Sequence, residues 1–238
     1  EGAPGHGEGH NAGQPLNITA ALAVKALMER EGLPGTIHIW PGIAEEQLGT
    51  KAHYVRAGIF DDVDIVLYNH VGSNMGTGWG ISPGLGLVSA IFRFEGSASH
   101  AGTAPWRGRS ALDAALLMEV GWNFRREHLR PQQRSHAVIS DGGDQPNVVP
   151  SQASVWYYFR EKNFPEIREL FETGETVARG AAMMTGTELA DVQVVGSAWP
   201  GHFNRTIAET MYANIRRVGL PEWSEADQTL AKATPRNI

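Results

Sequence analysis

The chain has no cysteine, a shortage of basic residues and no long apolar run, and each shortage excludes a class of protein. Without cysteine there is no disulfide framework and no thiolate metal ligand, which suits a reducing compartment such as the cytoplasm. The 20 Lys and Arg against 26 Asp and Glu give a net charge of -6, which argues against nucleic acid as a partner. No segment approaches the ~20 apolar residues that cross a bilayer, so no membrane partner is expected.

The overall composition is that of a globular protein, and the first third of the chain has an α/β pattern. The chain has 238 residues, 42% hydrophobic and 19% charged. Apolar periodicity and helix-stop residues predict alternating helices and strands, namely helix Leu16–Glu31, strand Thr36–Trp40, helix Glu46–Ala57 and strand Asp64–Tyr68. This alternation predicts a mostly parallel sheet covered by helices, in which ligands gather at the carboxyl ends of the strands.

The pattern changes near Pro83, where a second kind of domain is predicted. The expected elements are strand Leu85–Glu95, helix Arg109–His128, strands Ser135–Ser140 and Ala153–Arg160, helix Pro165–Thr185, strand Leu189–Ser197 and, after an Asn204 cap, helix Arg205–Val218. The order β-α-β-β-α-β indicates a ferredoxin-like sandwich. The predicted division is therefore 1–84, 85–199 and 200–238.

Glutamate and histidine side chains cluster in three loops of the first part. Glu45 and Glu46 follow the first predicted strand, His70 follows the second, and His6-Gly7-Glu8-Gly9-His10 lies upstream in a glycine-rich loop. A hydrolytic zinc site is built from imidazole and carboxylate ligands, and one extra carboxylate takes the proton of the attacking water. Adjacent residues in a turn point in different directions, so Glu45 and Glu46 are expected to divide the ligand and proton-transfer roles.

Each of these residues also has a simpler interpretation. Two carboxylates in the first turn of a helix favour its macrodipole, which would explain Glu45 and Glu46 without chemistry. Glu8 and His10 could belong to a solvated acidic loop. His70, at a strand end, could be a hydrogen-bonded structural residue.

Six short motifs occur in a fixed order along the chain. They are Gly5-His6-Gly7-Glu8-Gly9-His10-Asn11, Ala44-Glu45-Glu46, Asn69-His70-Val71, Ser97-Ala98-Ser99-His100-Ala101, Gly108-Arg109-Ser110-Ala111-Leu112-Asp113-Ala114 and Pro146-Asn147-Val148-Val149-Pro150. Together they resemble the zinc-dependent aminoacylase/carboxypeptidase family of metallopeptidases and amidohydrolases, on its aminobenzoyl-glutamate branch. The resemblance implies a parallel-sheet catalytic domain with an inserted ferredoxin-like lid, through which two copies form a homodimer.

The resemblance also implies roles for individual residues. The implied ligands of one or two divalent metal ions, zinc or alternatively manganese or cobalt, are Glu8, His10, Glu46 and His70. Glu45 would be the general base, and His100 would stabilise the oxyanion in the partner subunit's site. The implied substrate is a small N-acyl amino acid or dipeptide-like molecule.

Asn147 and Arg160 are assigned to substrate binding, and alternatives exist for Arg160 and for His100. Asn147 and Arg160 are candidates for holding the substrate carboxylate, since a guanidinium offers a bidentate fork. Arg160 could instead pair with Glu161 or Glu166. For His100 the alternative is an ordinary histidine of a surface loop.

Two departures from the family keep rival hypotheses open. The branch commonly has cysteine where Glu8 stands, and the family has a segment before Glu1 and a metal-binding histidine beyond residue 238. We therefore expect the chain to be a partial one. A non-catalytic relative that dimerises or binds ligands, and an unrelated α/β protein with solvent-facing acidic loops, are the alternatives.

Overall fold

The computed structural model describes residues 9–72, 75–82 and 84–233, so the predictions that rest on His6, Glu8 and Pro83 fall outside the described residues. In chain order the elements are α1 (His10–Glu31), α2 (Glu45–Leu48), α3 (Lys51–Arg56), β1 (Gly80–Ile81), β2 (Gly86–Glu95), α4 (Ala111–Arg125), β3 (Arg134–Asp141), β4 (Gln152–Glu161), α5 (Phe164–Thr185), β5 (Glu188–Ala198), β6 (His202–Phe203), α6 (Arg205–Val218) and α7 (Glu225–Ala233). One compact unit takes in the described residues up to Gly72 and from Gly84 to Gly201, and the other takes in 75–82 and 202–233.

The central feature of the first unit is a four-stranded antiparallel sheet in the order β3-β4-β2-β5. With α4 and α5 it has the predicted β-α-β-β-α-β connection of a ferredoxin-like sandwich. We call residues 86–198 the sheet domain. Alternate residues of β2, such as Val88, Ala90 and Phe92, are buried against the helices.

Aromatic rings fill the core between this sheet and its two helices. The Phe159 ring lies 5.1 Å from the ring of Trp122 on α4 and 5.1 Å from that of Tyr157. The buried Trp122 donates from Nε1 to Ser135 Oγ at 2.6 Å, which satisfies its one polar atom. Gly174 lets α5 approach the sheet, because a Cβ there would lie 2.5 Å from Phe159 Cζ.

The N-terminal helices differ from their predicted bounds. Helix α1 begins at His10 rather than Leu16, and Pro15 lies inside it. It ends as predicted at Gly32, whose φ of 63° is left-handed. The single helix predicted over Glu46–Ala57 is instead α2 and α3, because Gly49 adopts a φ of 53° and ends the first of them.

The parallel sheet predicted for the first third is not formed in the described part of the chain. Neither 36–40 nor 64–68 joins a ladder, and both sheets among the described residues are antiparallel. A buried parallel strand needs neighbouring strands and cover on both faces. Residues 64–68 have neither, and Val66 and Leu67 are 66% and 65% exposed.

In the second unit a short ribbon and two helices form. Strand β1 pairs antiparallel with β6, which was not predicted. Helix α6 has its predicted bounds, and Asn204 Oδ1 accepts from the Ile207 backbone N–H at 3.1 Å as its cap. Across the described ranges, no helix combines the length and apolarity needed to span a bilayer.

Candidate metal centre

The first turn of α1 lies against the segment that carries His70. Gly9 makes this possible, because a Cβ there would lie 2.6 Å from Val71 Cγ2, and its φ of 76° is left-handed. Further along α1, the Asn69 side chain donates a hydrogen bond to Asn17 Oδ1. The contact brings His10 beside His70.

The two histidines face each other through their Nε2 atoms, which are 3.2 Å apart. His70 Nδ1 lies 2.9 Å from the Val71 carbonyl oxygen, so Nδ1 carries the proton and Nε2 keeps its lone pair. Two imidazole nitrogens bound tetrahedrally to one zinc at 2.0–2.1 Å would be about 3.3 Å apart. The observed spacing is that of a hydrogen bond between the two rings, and it also fits two ligands of one cation.

On its other side, His10 faces the two adjacent carboxylates. His10 Nδ1 is 3.9 Å from Glu45 Oε2 and 3.5 Å from Glu46 Oε1. One ligand atom from each of His10, Glu45 and Glu46 can be chosen so that all three lie within 4.8 Å of one another. Imidazole and carboxylate donors suit zinc and also the harder manganese ion. The carboxylates and Nδ1 of His10 thus fit a divalent metal on this side of the ring, whereas His70 lies on the Nε2 side.

A strained turn presents the carboxylates. Ala44 has a φ of 48°, the one positive φ of a non-glycine residue among the described residues, and it directly precedes Glu45. The Thr50 hydroxyl donates to the Ile43 carbonyl oxygen and closes the turn around α2. The side chains of Glu45 and Glu46 are 45% and 63% exposed, so both are open to solvent and ligand.

Four of the predicted metal-site residues therefore meet, namely His10, Glu45, Glu46 and His70. Glu8, the remaining predicted ligand, lies outside the described residues. Glu45 and Glu46 do occupy the first turn of a helix, as the simpler interpretation requires. A helix of four residues has only a small dipole, however, and the dipole does not explain the two histidines.

His100 and Asn147 lie side by side in the loops that adjoin the sheet. The Ala101 N–H donates to the Asn147 carbonyl oxygen at 2.9 Å, and His100 pairs with Val148 in an isolated bridge. His100 Nδ1 accepts from the Gly102 N–H at 3.2 Å, which places the imidazole proton on Nε2. Both side chains are exposed, and His100 can donate a hydrogen bond outward.

Arg160 lies near the end of β4, with its guanidinium carbon 5.5 Å from the centre of the Tyr158 ring. The alternative pairing with Glu161 or Glu166 is not seen, since these carboxylates lie 3.9 and 3.8 Å from Arg130. Within the described residues no hydrogen bond reaches its buried Nε. Because Nε is buried, the donors that Arg160 could offer to a ligand are the terminal nitrogens of its guanidinium.

One residue beside the site has no counterpart in the sequence predictions. The Tyr158 hydroxyl donates to the Glu46 carbonyl oxygen at 2.7 Å. A side-chain bond to a distant backbone oxygen leaves no pattern in a single sequence. The only hint was the alternation of β4, which places Tyr158 on the face opposite the buried Tyr157 and Phe159.

Comparison with known proteins links the sheet domain to a family. Residues 85–182 match the peptidase dimerisation domain. Over 97% of its length the chain is 38% identical to a p-aminobenzoyl-glutamate hydrolase subunit of Escherichia coli, covering 48% of that protein. It is 30% identical to Xaa-Arg dipeptidase of Mus musculus over 93% of its length, covering 51% of that protein.

A solved structure is also similar to this chain. The aminobenzoyl-glutamate utilization protein from Klebsiella pneumoniae superimposes with a TM-score of 0.56 at 27% identity, over 69% of this chain and 42% of that one. The chain spans about half the length of the curated relatives it matches. The domain match, these relatives and the six ordered motifs agree: residues 85–182 are a peptidase dimerisation domain, and nearly the whole chain is similar to amide hydrolases such as these.

Proposed function

We propose that the full-length protein is a metal-dependent hydrolase of amide bonds in N-acyl or N-aroyl amino acids or dipeptide-like substrates. The observation that carries the proposal is the meeting of His10, Glu45, Glu46 and His70 from three separate segments. The names of two relatives, a p-aminobenzoyl-glutamate hydrolase and a dipeptidase, support amide cleavage.

In this proposal His10, Glu46 and His70 hold one or two divalent ions, with Glu8 as a further ligand. Nε2 of His10 faces His70 and Nδ1 faces Glu46, so each side of the ring is a candidate ion position. A bound divalent ion, zinc or alternatively manganese or cobalt, would lower the pKa of a water molecule and polarise the amide carbonyl. The Glu45 carboxylate would take the proton of the attacking water and deliver it to the leaving nitrogen. Its side chain is 45% exposed, so solvent and substrate can approach it.

The sheet domain supplies the other contacts with the substrate. His100 donates from Nε2 to the oxyanion, acting in the site of a second subunit. Arg160 and Asn147 hold the free carboxylate of the amino acid, to which the terminal nitrogens of the Arg160 guanidinium would donate. The substrate is then fixed at the scissile carbonyl and at its carboxylate.

The second subunit in this proposal is another copy of the chain. Leu116, Val120 and Phe124 form a stripe along α4 that is 48%, 47% and 76% exposed. Beside α4, strand β3 is an edge of the sheet, whereas the other edge strand, β5, is contacted by α2 and α3. Both α4 and β3 lie within the matched dimerisation domain. Two copies related by a two-fold axis would pair these faces.

The test uses the full-length protein as purified. Elemental analysis should find one or two divalent ions per subunit, and p-aminobenzoyl-glutamate or an Xaa-Arg dipeptide should be hydrolysed. A chelator should abolish hydrolysis, and zinc or manganese should restore it. Less than one ion per subunit after metal is supplied, with no hydrolysis, would contradict the proposal and favour the non-catalytic relative.

A further inference from the structure

The turn that carries Glu45 and Glu46 lies on the face of the sheet opposite the helices. On that face one row of paired residues crosses the four strands. It runs from Gly196 on β5 to Ser89 on β2, Tyr158 on β4 and His136 on β3. Paired residues of neighbouring strands share a face of the sheet, and Val88 and Ala90 on either side of Ser89 face the helices. The row therefore forms a surface on which α2 can rest.

Tyr158 provides the hydrogen bond between this row and α2. Its hydroxyl donates to the Glu46 carbonyl oxygen at 2.7 Å. A helix of four residues cannot satisfy its last carbonyl groups from its own turns. Tyr158 supplies one of the donors that α2 lacks, at the residue that is the proposed metal ligand.

Gly196 provides the space that α2 needs. A Cβ at residue 196 would lie 2.3 Å from the Leu48 carbonyl oxygen, so no larger residue fits without moving the turn. The pairing of β2 with β5 shifts register between Ser89 and Ala90, beside this contact. At the end of α2, a Cβ on Gly49 would lie 3.2 Å from the Ser197 carbonyl oxygen.

We propose that Tyr158 and Gly196 form a seat on the sheet domain that sets the position of the Glu45–Glu46 pair. Tyr158 is thus a positioning residue, which acts through the backbone of Glu46 and does not touch the metal. The contacts that form the seat are independent of the function of the protein. Its effect on metal binding and catalysis rests on the proposed hydrolase function.

The experiment removes one hydroxyl from the full-length protein. In Tyr158→Phe, loss of the hydrogen bond should weaken affinity for zinc, measured by chelator competition, by about 3- to 10-fold. The kcat should fall by a similar factor with KM nearly unchanged. Hydrogen exchange at the Leu48 and Gly49 amides, which bond back to Ala44 and Glu45, should accelerate.

Two matched controls separate the seat from general destabilisation. Tyr157→Phe removes the same hydroxyl from the adjacent residue, whose side chain faces the helices, and should change none of these quantities. Gly196→Ala should weaken zinc binding more than Tyr158→Phe does, whereas Gly180→Ala on α5 adds a Cβ with nothing within 4 Å. If Gly196→Ala does not fold, the comparison of Tyr158→Phe with Tyr157→Phe is sufficient to test the seat.

The outcomes distinguish the seat from the function. Faster exchange in α2 together with weaker zinc binding, confined to Tyr158→Phe and Gly196→Ala, supports the seat. Exchange in Tyr158→Phe equal to that in the parent and in Tyr157→Phe overturns it. A parent protein that binds no metal would overturn the proposed function, and exchange in α2 would still decide the seat.

Discussion

His10 and His70 bring their Nε2 atoms to 3.2 Å although 60 residues separate them in the chain. The contact depends on Gly9, which lets the start of α1 approach Val71, and on the Val71 carbonyl oxygen, which fixes the tautomer of His70. A nitrogen pair held in this way from two directions is prepared for a cation before the cation arrives.

Replacing either histidine of this pair should reduce metal binding. We expect His70→Ala to weaken zinc affinity by more than the about 10- to 100-fold that loss of a supporting group costs at metal sites. The measurement is chelator competition with the full-length protein. His53→Ala is the control, since His53 is an exposed histidine of α3 outside the cluster. Equal affinity in the two variants would contradict the assignment.

Glu45→Gln should separate catalysis from metal binding. The amide cannot accept the proton, so kcat should fall by about 100- to 10,000-fold. Metal content should stay at the parent level, because Glu46 and the histidines remain. Glu172→Gln, an exposed carboxylate on α5, should have full activity. Full activity in Glu45→Gln would remove Glu45 from the mechanism.

Phe124→Glu should change the oligomeric state. A charge placed in the apolar stripe of α4 should convert a dimer into a monomer, which sedimentation equilibrium measures directly. Met184→Glu is a matched control, because Met184 is 76% exposed, as Phe124 is, and lies on α5. A variant that stays dimeric would place the interface elsewhere, and a partner of different sequence would indicate a hetero-oligomer.

Stability should depend on pH through His136. Burial, followed by the charges of Arg160, Arg126 and Arg134, lowers the pKa of His136 below its ordinary value of 6.5. Below pH 6.5 the unfolded chain therefore binds a proton that the folded protein does not, so stability falls as the pH falls. The thermal midpoint of the parent should drop more between pH 7 and 5.5 than that of His136→Asn, with His128→Asn resembling the parent.

Two glycines of α5 should respond in opposite ways to alanine. At Gly174 the new methyl would lie 2.5 Å from Phe159 Cζ, and overpacking should destabilise the protein by about 1–3 kcal/mol. At Gly180 nothing lies within 4 Å, and the higher helix propensity of alanine should stabilise by up to about 1 kcal/mol. Urea unfolding of both variants measures this. Equal effects would mean that α5 packs differently on the sheet.

The sheet domain was predictable because its signals are local. Helix α5 was expected at Pro165–Thr185 and lies at Phe164–Thr185, since Asn163 and Gly186 mark its ends. Strand β2 alternates buried and less buried residues as a half-buried strand should. Each element could be inferred from a window of its own residues.

The first third of the chain was harder to predict because its structure depends on distant partners. The apolar run at 64–68 has the composition of a buried strand but no strand beside it among the described residues. Residue types identified His10, Glu45, Glu46 and His70, yet the way they meet follows from Gly9 and Val71. The Tyr158 contact joins residues 112 apart and has no local pattern.

The pairing of Leu87 with Ala198 has a consequence for how this domain could be transplanted. These residues lie on the first and last strands of the sheet domain, near its two ends, and they are direct neighbours across β2 and β5. A domain whose entry and exit adjoin can be grafted into a loop of another scaffold while disturbing little of the recipient. The same adjacency would allow the two ends to be joined by a short linker and the chain reopened elsewhere, as a circular permutant.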